Sequence, residues 1–165
     1  MNISNDEFVD RVKKLIGKRY AECDCIGVIR QALGLSMSGT NWLWRSINNS
    51  AKYRYLSWRV HDTPRQEELL PGDLVFMVDW STIPNGYETK PDCHHVGVYI
   101  GDGLVIHSSS KTGVRTDSLT KTAWNAWGRM ALVNYATFIP DPKQAIAPLT
   151  DHEMLLAIYD KIMRM

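Results

Sequence analysis

The stretch from His94 to Ser108 constrains this chain more than any other. Two apolar runs, His94 to Ile100 and Leu104 to Ser108, flank Gly101-Asp102-Gly103, and β-rich runs joined by glycine-bearing turn residues form an antiparallel hairpin. With a three-residue loop and Gly103 in the left-handed position, the numbers of paired residues sum to about 204. Gly97 then faces His107, and His95 faces Ser109. Side chains alternate across a sheet, so His95, Gly97, His107 and Ser109 share one face and His94 lies on the other. A two-residue loop would shift the register by one and carry His107 to the wrong face.

The elements around this hairpin follow from spacing and punctuation. Ser4 and Glu7 have capping-box spacing, and Phe8, Val12, Leu15 and Ile16 recur at helical intervals up to Gly17. Asp24 is a good N-cap for a second, mostly apolar helix from Cys25 to Gly34. Residues 40 to 60 interleave Trp42, Trp44, Tyr53, Tyr55 and Trp58 with basic residues and include some helix; they serve either hydrophobic packing with solvated charges, the favoured reading, or stacking on sugar rings and contacts to substrate carboxylates. Pro71-Gly72-Asp73 is a turn before a buried strand from Leu74 to Val78, Ser81 to Pro91 is a loop, and a last strand runs from Met130 to Ile139. Helices first and strands afterwards indicate an α+β fold, with helices packed on an antiparallel sheet.

Pro140, Pro142 and Pro148 interrupt the chain before a second capping box, Thr150 to Glu153, opens a short helix with Met154, Ile158, Ile162 and Met165 on one stripe. The expected organisation is therefore a domain over residues 1–139, with 140–165 a proline-rich connection and a helix docked on that same domain. With 165 residues and a formal net charge of +1, the chain has the size of one domain and lacks the basic runs that bind nucleic acid. No apolar segment is long enough for a membrane span, and Met1 to Asp10 lacks the pattern of a cleaved leader.

Cysteine acts as a nucleophile only as its thiolate, which a helix N-terminus and a nearby imidazole favour. Cys25 has the helix tip by sequence, and the hairpin offers His95 as base, with His107 orienting it through the other ring nitrogen. Cys23, Cys25, Cys93 and His95 form an alternative zinc set, but the Cys-x-Cys spacing is tighter than usual for zinc. Neither a metal nor an organic cofactor is expected.

Four blocks in order, Asp24-Cys25-Ile26-Gly27, Pro71-Gly72-Asp73-Leu74-Val75-Phe76, His95-Val96-Gly97-Val98-Tyr99-Ile100-Gly101 and Val105-Ile106-His107, resemble the NlpC-type (NlpC and p-sixty) cysteine peptidases of bacterial cell walls. Ile26 stands where that family usually has serine. The resemblance implies a papain-like core, with Cys25 as nucleophile, His95 as base, His107 as third polar member, and Tyr20 and Asp24 beside the substrate. It also implies hydrolysis of a peptidoglycan stem peptide, often between D-γ-glutamate and the following diamino acid. With no leader, such an enzyme would be made in the cytoplasm or reach the wall through a phage, as a lysin or tail component, or through a secretion machine. The competing expectations are an amidase or acyltransferase of the same fold acting elsewhere, and a catalytically silent wall-binding or phage-tail module.

Overall fold

Ser4 opens the first helix as its spacing to Glu7 predicts. Its hydroxyl accepts the Glu7 N–H at 3.1 Å, and α1 runs Asn5–Lys13 with Phe8 and Val12 fully buried. The structure, a computed structural model, describes residues 3–48, 55–135 and 162–164. The second helix, α2 (Cys25–Leu33), lies between the two caps the sequence offers. Asp24 Oδ1 accepts the Gly27 N–H at 2.7 Å, and Gly34 closes the helix at φ 65°. In the aromatic region a short helix, α3 (Thr40–Arg45), buries Leu43 and Trp44.

The strands are β1 (Ile3–Ser4), β2 (Leu56–Val60), β3 (Leu74–Asp79), β4 (Asp92–Gly101), β5 (Leu104–Ser109), β6 (Gly113–Ser118), β7 (Ala126–Met130) and β8 (Val133–Asn134). Six of them form an antiparallel sheet in the order β2-β7-β3-β4-β5-β6, while β1 and β8 make a small parallel pair. The fold is α+β, as expected. The expected strand from Met130 to Ile139 is met in part, by Met130 at the end of β7 and by β8, while its residues 136–139 lie outside the described residues. The Trp127 segment supplies β7 between β2 and β3, where a Cβ on Gly128 would lie 3.0 Å from the Trp58 carbonyl oxygen.

Alternation gives the sheet a core on each face. Phe76, Val96, Val98, Ile106 and Val114 pack with Phe8, Val28 and Ile29 of the two long helices. Val75, Tyr99, Val105, Trp124 and Trp127 build a second core on the other side. Within the sheet, buried Asp73 accepts two hydrogen bonds from Arg129, at 2.8 and 2.7 Å, which tie the start of β3 to β7.

The hairpin has the expected register by a different route. Gly97 pairs with His107, Val98 with Ile106 and Tyr99 with Val105, each summing to 204. The loop itself is a two-residue turn, Asp102 and Gly103, both at positive φ (54° and 72°), closed by the pair Gly101 and Leu104. A bulge at Ile100 adds one residue to β4 and cancels the shift that a two-residue loop would impose.

The chain divides into two compact units after residue 135. In the second, the described residues are 162–164, with Ile162 and Met163 exposed. The expected capping box at Thr150, the docked helix and the 139/140 boundary lie outside the described residues.

Candidate active site

The β4–β5 ladder ends at Gly97 and His107, and there the candidate side chains gather. His95 Nε2 lies 2.9 Å from His107 Nδ1, and His107 Nε2 lies 2.8 Å from Asp117 Oδ2 on β6. All three residues have odd numbers on strands in simple register, so they share one face, as the alternation argument requires. Gly97 makes room for this arrangement. A Cβ there would stand 2.6 Å from Val105 Cγ1 and 3.0 Å from Trp124 Cη2. Trp124 instead lies flat against His95, with the rings 5.3 Å apart and 7° from parallel.

Cys25 reaches this point from the side of the sheet that carries α2. Val96, Val98 and Ile106 hold that helix, whereas the histidine pair belongs to the opposite face. The expectation that the helix tip packs over the histidines is therefore corrected. The tip enters where β4 and β5 stop pairing: Ser108 Oγ donates to the Cys23 carbonyl at 2.5 Å, and the Val96 N–H is directed at the Cys25 sulfur. The thiol thus sits against the backbone next to His95.

Electrostatics also depart from the sequence reading. Burial pushes the Cys25 thiol up, the neighbouring Asp24 carboxylate adds to this, and the N–H groups of Val96, Ile26 and Cys25 oppose it without reversing it. The helix tip is present, but loss of solvent outweighs it. Burial, and then the closeness of His107 and His94, bring the His95 imidazole down to about 4. Both groups are consequently neutral in the free site. For Asp117, burial works upward, but hydrogen bonds from His107, Lys121 and Arg115 outweigh it and hold the carboxyl below its usual range.

A cleft of about 360 Å³ opens over the histidine pair, lined among others by Tyr20, His94, His95, His107 and Thr122. A family profile for NlpC/P60 matches residues 14–133, which include every residue of the site. The chain belongs to the NlpC/P60 family. That family includes cell-wall peptidases. The structure resembles the NlpC/p60 domain of the peptidoglycan hydrolase SagA (TM-score 0.50, 20% identity, 78% of this chain and 100% of that one). It also resembles NlpC2 from Trichomonas vaginalis (0.50, 20%, 76% and 46%) and an NlpC/P60 family protein from Bacillus cereus ATCC 10987 (0.50, 22%, 78% and 40%). The chain spans less than half the length of the latter two. No curated protein matches the sequence. These neighbours establish the papain-like NlpC/P60 fold.

Within this NlpC/P60 site, Tyr20 borders the cleft, and burial first, then the closeness of Cys25 and Asp24, raises its phenol. Asp24 serves first as the α2 cap and lies 3.5 Å from Arg30. His94 is not turned away from the site as expected. Met77 pairs with His95 and Val78 with Cys93, so His94 is the extra residue of a bulge, exposed and beside His95 at the cleft. Among the described residues, Cys23, Cys25, Cys93 and His95 form no group able to hold a metal. Cys23 and Cys93 are buried, and burial raises both thiols.

Sequence reasoning missed Asp117 and Trp124 as parts of the site. Asp117 had a signal: Val114 and Thr116 alternate with polar residues after the Gly113 turn, the pattern of a strand that would bring residue 117 beside 105 and 107. Trp124 had none, since it lies in a loop whose path local pattern does not fix. Among the described residues, no helix is long and apolar enough to cross a membrane.

Proposed function

We propose that this NlpC/P60 protein is a cysteine peptidase that hydrolyses the amide between D-γ-glutamate and the following diamino acid in peptidoglycan stem peptides. The observation that carries this reading is a helix-tip cysteine set against β4 beside an imidazole that lines an open cleft and has its own hydrogen-bonded orienting chain. In this reading Cys25 is the nucleophile, His95 the base and His107 its orienter, while Tyr20 and Asp24 border the bound peptide.

A neutral thiol and a neutral imidazole suit general-base attack. His95 takes the thiol proton as the sulfur adds to the amide carbonyl carbon. The Cys25 backbone N–H at the helix tip stabilises the oxyanion. Collapse of the tetrahedral adduct breaks the C–N bond, His95 returns the proton to the leaving amine, and a thioester remains on Cys25. Water, deprotonated by His95, then adds to the thioester and releases the carboxylate and the thiol. Transfer of one proton within the pair leaves its net charge unchanged, so the burial that penalises each ion alone weighs less on the step.

Digestion of purified muropeptides with mass readout tests this. The expected result is a new free amine on the diamino acid, lost after iodoacetamide and unaffected by EDTA. Cleavage lost in EDTA and restored by zinc, or no cleavage of any muropeptide, would overturn the proposal.

A further inference from the structure

The geometry points to Asp117 as a positioning residue that sets the order of protons along the histidine pair, so that His95 offers an unprotonated Nδ1 to the Cys25 thiol; this rests on the peptidase reading of the site. An ionised carboxylate can only accept hydrogen bonds. Asp117 Oδ1 accepts from Arg115 at 2.7 Å and from Lys121 at 3.1 Å, and Oδ2 faces His107 Nε2 at 2.8 Å. Its side chain is only 9% exposed and that of His107 only 7%, so the contact between them is shielded from water.

His107 must therefore carry its hydrogen on Nε2. A neutral imidazole has one such hydrogen, which leaves a lone pair on His107 Nδ1. The 2.9 Å contact is then donated by His95 Nε2–H, and His95 keeps its lone pair on Nδ1. The reverse order, with both hydrogens on Nδ1, would have the same heavy-atom distances between the two rings. In that order His95 could not accept a proton at Nδ1. Nothing within the pair chooses between the two orders, whereas the carboxylate on β6 does.

The isosteric substitution is therefore the harmful one. In Asp117→Asn the amide oxygen stays under Arg115 and Lys121, which both require an acceptor, and the NH2 group turns to His107 Nε2. That donor demands a lone pair on Nε2 and enforces the reverse order. Asp117→Ala removes the preference without imposing the wrong one. With a muropeptide substrate, Asp117→Ala should lose about 10- to 100-fold in kcat and Asp117→Asn about 1,000-fold or more, with KM little changed in either.

Long-range 1H–15N correlation spectra at pH 8 read the order directly. The wild-type protein should show hydrogen on Nε2 of both His95 and His107, and Asp117→Asn should show it on Nδ1 of both. The wild-type spectrum requires no variant to fold. Hydrogen on Nδ1 of wild-type His107, or an Asp117→Asn enzyme at least as active as Asp117→Ala, would overturn the assignment. Hydrogen on Nε2 of both rings in a protein that cleaves no muropeptide would uphold the proton order and count against the peptidase reading alone.

Discussion

A thiol and an imidazole that burial holds neutral must react as a pair, and the residue-scale predictions follow from this. Cys25→Ala should reduce hydrolysis below detection while preserving the melting temperature within a few degrees, because alanine suits a helix start and little volume is lost. Asp24→Asn separates the two duties of that side chain. The amide oxygen can still accept the Gly27 N–H, but the charge that raises the Cys25 thiol is gone, so alkylation of Cys25 should move to lower pH. An unchanged alkylation profile would show that Asp24 does not act on the thiol. His95 adds a stability signature. Its folded pKa of about 4 lies below the ordinary value of 6.5, so between these pH values the unfolded chain binds a proton that the folded chain does not. Its stabilising contribution is complete above 6.5 and falls as the pH drops toward 4, by at most about 3 kcal/mol. Urea unfolding at pH 7 and pH 5 should show this loss in the wild type and a smaller one in His95→Ala; equal losses would contradict it. At this scale the place of Cys25 at a helix tip and of His95 and His107 on one face of the sheet was legible, because helix caps and strand alternation are local. The neutrality of the pair was not, since burial depends on what the whole chain lays over it.

The hairpin is the element that makes these residues a site. Gly97 is required there by space, with a Cβ due to meet Val105 at 2.6 Å and Trp124 at 3.0 Å. Gly97→Ala should therefore cost about 1–3 kcal/mol in urea unfolding and lower kcat by displacing Trp124 from His95. Wild-type stability and turnover in that variant would remove the role given to the glycine. The same element shows the limits of pattern reading. Alternation predicted the pairing of Gly97 with His107, yet the turn has two residues and the bulge at Ile100 restores the register. The bulge at His94 was invisible for the same reason: one extra residue leaves the apolar pattern intact and changes only where a side chain emerges.

At the scale of the molecule, Cys25 comes from a helix packed on the sheet that carries His95, and their spacing depends on how firmly neighbouring strands of that sheet are joined. Asp73 and Arg129 form one such joint, a fully buried carboxylate with two short hydrogen bonds from one guanidinium. Burial works to raise the Asp73 carboxyl and Arg129 opposes it. Arg129→Leu should leave an unpaired buried charge and cost about 3–5 kcal/mol, read by urea unfolding, and a cost under 1 kcal/mol would contradict this. The α+β class and the helix-first order were legible from capping boxes and turns. The six-strand order was not, because β2, β6 and β7 owe their places to partners far away in sequence, and residues such as Trp58 and Trp127 look like any aromatic core. In the proposed reaction this NlpC/P60 protein forms a thioester on Cys25. An acid quench of enzyme and muropeptide within the first turnover, followed by peptide mapping by mass, tests this. An acyl adduct is expected on the peptide that carries Cys25 and not in Cys25→Ala; cleavage that persists in Cys25→Ala, or an adduct on any other residue, would overturn the thioester mechanism.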